Sequence, residues 1–152
     1  MNDARPSGAW SPLGHPVFRA LWIAILFGNV GTWIHDVAAT WRMTELTGSP
    51  LMIAAVQSAS SLPMALLALV AGTLADIVDR RRYLVATQLF MMSIAATLAL
   101  LAHTGLLEPI SLLALTFALG CGAAMALPAQ AAITSELVPR SQLAAAVALN
   151  AV

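Results

Sequence analysis

Asn29, Thr32, Asp36 and Thr40 recur at intervals of three, four and four, in a stretch that is otherwise apolar or glycine apart from His35. In a helix this spacing puts all four on one face. A carboxylate flanked by hydroxyls and an amide can exchange a proton or pair with a cation. Among apolar surroundings it costs roughly 2.5–3.5 kcal/mol on membrane-insertion scales, which makes Asp36 a functional candidate by default. A second reading places it near a membrane surface, solvated and paired with Arg42. His35 is turned about 100° from Asp36 and reads as an interfacial histidine. Gln57, Gln88 and Gln130 either hydrogen-bond between helices or line a path.

The other concentration of chemistry is Gly72-Thr-Leu-Ala-Asp76-Ile-Val-Asp79-Arg80-Arg81-Arg82-Tyr83-Leu84, two acids and three arginines between long apolar runs. Catalytic patterns are missing elsewhere. There is no metal-ligand spacing and no nucleophile–base pair, and one cysteine, Cys121, excludes a disulfide framework. Gly120-Cys121-Gly122 follows no strand and sits in an apolar run, so it is a packing surface rather than a nucleotide loop. Seven acids and seven arginines cancel, and no basic patch points to nucleic acid. Neither an enzyme nor a bound cofactor is expected.

The elements that must carry these groups follow from the placement of charge. Of 152 residues, 60% are apolar and 9% charged, against about 25% charged in a soluble domain. The charge-free runs 46–75, 83–107 and 109–135 each exceed the ~20 residues that cross a bilayer as a helix. A soluble protein of this size cannot bury three helices that lack a solvated face. The expected fold is all-α, a polytopic transmembrane helical bundle, since lipid forces each span to satisfy its own backbone. Residues 1–17 form a polar tail rich in proline and glycine. Spans are expected over about 18–43, 50–75, 83–102 and 110–134, with a fifth begun at 143–152. Ser49 and Pro50 provide a helix start, serine as N-cap and proline at the first helical position. Within the second span Ala54, Ser58, Ser61, Ala65, Ala68, Gly72 and Ala75 alternate steps of four and three, a small-residue seam suited to close helix packing.

Alternating the connections puts Arg5, Arg19, Arg80, Arg81, Arg82 and Arg140 on one side and Arg42 alone on the other. The positive-inside rule then makes the N-terminus cytoplasmic, in a multi-pass protein of the cell membrane. Trp22 and Trp41, near the ends of the first span, suit the headgroup region.

The stretch from Gly72 to Arg81 resembles the signature of the major facilitator superfamily between helices two and three, Gly-x-Leu-Ala-Asp-Arg-x-Gly-Arg-Arg. Gly72, Leu74, Ala75, Asp76, Arg80 and Arg81 match; Ile77 replaces a basic residue and Asp79 a glycine. Trp41 to Pro50 resembles the first outer loop of the bacterial branch that contains enterobactin and macrolide exporters. Pro128 to Gln130, Leu137 to Arg140 and Leu149-Asn150 resemble its connection between helices four and five. One departure is that 109–135 contains no arginine, where many drug–proton antiporters have one.

The resemblance implies a twelve-helix transporter of two halves rocking about a central site. This chain is then an N-terminal part with four spans and the start of a fifth, its partners being the lipid bilayer, a small-molecule substrate and the C-terminal remainder. The implied function is ion-coupled export of a small amphipathic compound, with a proton gradient as energy source. The resemblance assigns Gly72, Asp76, Arg80 and Arg81 to gating. Asn29, Thr32, Asp36 and Gln57 are the candidates for the coupling or substrate cavity. A metabolite importer of the same superfamily and a self-contained four-helix subunit are the alternatives.

Overall fold

A computed structural model of the chain describes residues 10–150, apart from the side chains at 75–77, 136, 140 and 150. Every regular element among them is helical. A short 3-10 helix, Ser11–Gly14, precedes α1 (Pro16–Leu46), α2 (Pro50–Ile77), α3 (Arg80–Thr104) and α4 (Pro109–Leu137). A 3-10 turn, Arg140–Gln142, then leads into α5 (Leu143–Asn150). Stretches of 31, 25, 25 and 27 residues in α1 to α4 are long and apolar enough to cross a membrane. Their outward surface is apolar as well: Leu69 is 87% exposed, Phe27 74% and Trp33 72%. Such a surface suits hydrocarbon and would be an aggregation hazard in water.

The helix ends have local causes. α1, α2 and α4 all begin at proline, whose missing N–H would be unpaired there in any case. Ser49 does hold the N-cap position of α2, but its hydroxyl makes no capping bond. The Ser49 carbonyl takes the first helical amides, and its own N–H donates to Thr47 Oγ1 at 3.2 Å. α3 starts at Arg80 rather than near Tyr83, because the Asp79 carboxylate caps it, accepting from the Arg82 amide at 2.9 Å. α3 ends on Gly105, whose φ of 73° is left-handed, with the Leu106 N–H returning to the Leu101 carbonyl. At the start of α4, Ser111 Oγ accepts from the Glu108 amide and donates to the Glu108 carbonyl.

The described residues form two compact units, 10–33 with 131–150, and 34–130. In the first, fully buried Phe18 packs among Val138, Ala146 and Leu149, with Leu13 and Trp22 alongside. The Trp22 indole N–H donates to the Leu149 carbonyl at 2.8 Å, so this ring ties α1 to α5 rather than only marking a headgroup layer. In the second unit, Ala39 and Met43 of α1, Val56 of α2 and Leu112 of α4 form a core with Leu107, flanked by Leu98 and Leu101 of α3. A smaller cluster joins Leu74, Tyr83, Met125 and Ala129. α2 buries Val56, Pro63 and Ala71, whereas Ala54, Ser58, Ser61, Ala65 and Ala68 of the small-residue seam are exposed.

Candidate functional site

Within the second unit, α1 reaches α2 and α4 through two adjacent polar residues. Asp36 Oδ1 accepts from Ser60 Oγ of α2 at 3.1 Å. His35 Nε2 lies 3.3 Å from Thr116 Oγ1 of α4. Both members of the α1 pair are half-buried, while Thr116 is 1% exposed. Because consecutive helical residues diverge by about 100°, neighbours on one helix can serve two different partners.

Ser60 and Thr116 stand out by what their hydroxyls do. Thr32, Ser61, Ser93 and Thr97 all donate to the carbonyl four residues earlier in their own helix, the usual fate of such groups in apolar surroundings. Ser60 gives its hydroxyl to Asp36 instead, and Thr116 spends its own on His35.

The backbone between α2 and α4 is close at the same place. Pro63 has no N–H, so the Ala59 carbonyl lacks its helical donor. Gly120 of α4 faces that gap: a Cβ there would stand 2.8 Å from the Ser60 carbonyl oxygen, 2.9 Å from Pro63 Cγ and 3.2 Å from the Ala59 carbonyl oxygen. Glycine lets the two backbones meet. The Gly120-Cys121-Gly122 segment is thus a packing surface on both sides, since a Cβ on Gly122 would meet Met91 Cγ and Phe90 of α3.

Of the four residues on the α1 face, Asp36 and Thr40 lie in the second unit, where Thr40 Oγ1 donates to the Asp36 carbonyl at 2.8 Å. Asn29 and Thr32 belong to the first unit; Asn29 is half-buried, and exposed Thr32 donates to the Gly28 carbonyl at 3.1 Å. Gln57 is exposed. Arg42 does not pair with Asp36. It binds Glu45 Oε2 at 2.6 Å, and Glu45 also accepts from the Trp41 indole at 3.0 Å. In the charged connection Gly72 is half-buried, Arg80 half-buried and engaged, and Arg81 exposed. The Asp76 side chain lies outside the described residues. Sequence spacing brought out Asp36 but missed Ser60, Thr116 and the inward role of His35. The one available signal was a Thr inside a charge-free run, and the sequence has several.

These observations define a class, a multi-pass helical membrane protein with a polar junction between its helices. The chain belongs to the major facilitator family described as transmembrane secretion effector, whose model matches residues 7–152. It is 26% identical to macrolide efflux protein A of Streptococcus pyogenes over 126 residues, covering 83% of this chain and 31% of that protein. It is 28% identical to the uncharacterized MFS-type transporter YfiS of Bacillus subtilis over 125 residues, covering 82% and 29%. The chain therefore spans less than a third of the length of the curated relatives it matches. No solved structure matches it significantly. Family membership sets the chain among transport proteins and not enzymes.

Proposed function

We propose that this chain is the N-terminal part of a secondary active transporter in the cell membrane, which exports a small amphipathic compound by ion-coupled alternating access. The observation that carries the reading is an acid held between membrane helices, Asp36 on Ser60, in a chain of this family. An intramembrane carboxylate persists where it serves a substrate or ion path. Asn29 and Thr32 continue its helix face by spacing, and Gln57 lies one turn before Ser60 and Ser61 on α2. A proton gradient supplies the energy and no bound cofactor takes part. The relative that handles macrolides makes erythromycin a suitable probe. Proteoliposomes holding the complete transporter should accumulate it under an imposed pH gradient, beyond the passive uptake of protein-free vesicles. Equal uptake in both refutes the reading.

The N-terminus is cytoplasmic in this proposal, on the strength of the six-to-one arginine distribution. In a background lacking Cys121, a cysteine at Thr104 should react with an impermeant maleimide added outside intact cells, whereas one at Arg81 should not. Outside labelling at Arg81 reverses the orientation.

The connection from Gly72 to Arg81 is proposed to hold the cytoplasmic face closed, as the family resemblance implies. An acid at Asp76 gains about 0.3–1 kcal/mol near an exposed helix N-terminus, and up to ~2 kcal/mol when partly buried. Asp76→Asn should reduce transport and shift the inward–outward balance while leaving membrane insertion intact. Unchanged transport at equal expression would reduce the loop to a headgroup-facing charge cluster.

A further inference from the structure

We infer that His35, rather than Asp36, carries the coupled proton, and that Asp36 is the fixed counter-charge for which that proton and a cationic substrate compete. This rests on the proton-coupled transport proposed above and names the group that performs it.

The placement is the first ground. Among described residues, the titratable side chains deep within the four long helices are His35, Asp36 and Cys121. The charge-free runs 46–75 and 109–135 mean that neither α2 nor α4 brings a charged side chain to the junction. What faces the imidazole is Thr116 from α4, with Asp36 beside it on α1 and neutral Ser60 across on α2.

The hydroxyl of Thr116 is the second ground, because it fits both states of the ring. A neutral Nε2 accepts the Thr116 O–H. When a proton binds at Nε2, the ring becomes the donor and the hydroxyl oxygen the acceptor. The α1–α4 contact thus survives both states of the ring. A histidine placed only for packing needs no partner that reverses.

Charge balance is the third. An imidazolium beside the Asp36 carboxylate forms a net-neutral pair, so loading the proton cancels the single negative charge held between the helices. A cation arriving at Asp36 replaces the imidazolium as its counter-ion. The Nε2 proton then leaves to water, and the pair returns to neutrality with the substrate in place of the proton. One proton is exchanged for one positive charge.

The test uses the complete transporter in proteoliposomes with pyranine inside, reading erythromycin-induced proton flux from pH 5.5 to 8, and erythromycin counterflow separately, both corrected for protein-free vesicles. His35→Gln keeps a hydrogen-bonding group near Thr116 but cannot titrate. Its proton flux should fall to background while counterflow persists. Proton flux with the wild-type pH profile overturns the inference and leaves the transport reading standing. Loss of counterflow together with proton flux in a well-folded His35→Gln protein assigns the residue a structural role and also overturns it. Thr116→Val is the second arm and leaves the titrating group in place: the midpoint of the flux–pH profile should move, with Thr116→Ser restoring it, and an unmoved midpoint counts against the inference. Absent transport and absent proton flux in the wild type would instead remove the proposed function itself.

Discussion

Replacing Gly120 by alanine should destabilise the α2–α4 contact by about 1–3 kcal/mol, the usual cost of forcing a methyl group into a filled interior. The new Cβ would stand 2.8 Å from one backbone carbonyl oxygen and 2.9 Å from the proline ring. Neither can swing aside as a flexible side chain does. Gly122→Ala meets Met91 Cγ and Phe90 instead, and Cγ can clear the new methyl only if the whole Met91 side chain turns about its Cα–Cβ bond, so it too should cost about 1–3 kcal/mol. Gly28→Ala meets nothing within 4 Å, and the gain in helix propensity should leave it neutral or slightly stabilised. Unfolding of the three purified variants in mixed detergent–SDS micelles, compared with the parent, checks the order. If Gly120→Ala unfolds no earlier than Gly28→Ala, the close approach is not a stabilising feature.

Asp36→Asn should abolish gradient-driven accumulation of substrate while leaving the fold almost unaffected. The asparagine carbonyl oxygen can still accept from Ser60 Oγ, so the α1–α2 tie persists. What disappears is the negative charge that a proton-loaded partner or a cationic substrate needs. Accumulation under an imposed pH gradient should fall to the level of protein-free vesicles, with detergent unfolding within about 0.5 kcal/mol of the parent. Preserved accumulation with an unchanged pH profile would show that the acid is structural. A large loss of stability would mean that the charge, and not only the hydrogen bond, holds α1 to α2.

The fold was legible because lipid simplifies the problem. Charge-free runs longer than a bilayer is thick admit one kind of element, and three of them appear as α2 to α4, with α1 formed around the single interrupting acid Asp36. Helix ends were less legible, since hydropathy marks where lipid stops and not where backbone hydrogen bonding stops. α1 therefore continues through Arg42 and Glu45 to Leu46, and α3 begins three residues before the apolar run. The N-cap of α3 was readable in principle from an acid four residues ahead of the helix's first aromatic, but three consecutive arginines masked it as a loop.

The site was half legible for a related reason. A lone acid in an apolar run is conspicuous, and Asp36 was found on that ground. Its partners are ordinary residues. Ser60 lies among Ser58 and Ser61, and Thr116 is one hydroxyl in a long apolar stretch. Only the packing of α2 and α4 against α1 decides which hydroxyl turns outward. His35 was discounted by its angle to Asp36, and that same angle is what lets it face α4.

The carboxylate at the start of α3 sets up an electrostatic compensation. A helix N-terminus carries a partial positive charge of about half an electron, and cations in its first turn are each disfavoured by roughly 0.3–1 kcal/mol when exposed. Arg80, Arg81 and Arg82 occupy that turn. The family signature has glycine before its arginine pair, a residue that can end a loop but brings no charge. In this chain Asp79 stands there and accepts the Arg82 amide. The departure from the signature thus supplies an anion where one helix end has gathered its cations. The guanidinium groups of Arg81 and Arg82 are exposed beside it, and the turn that displays them rests on one side chain of opposite sign.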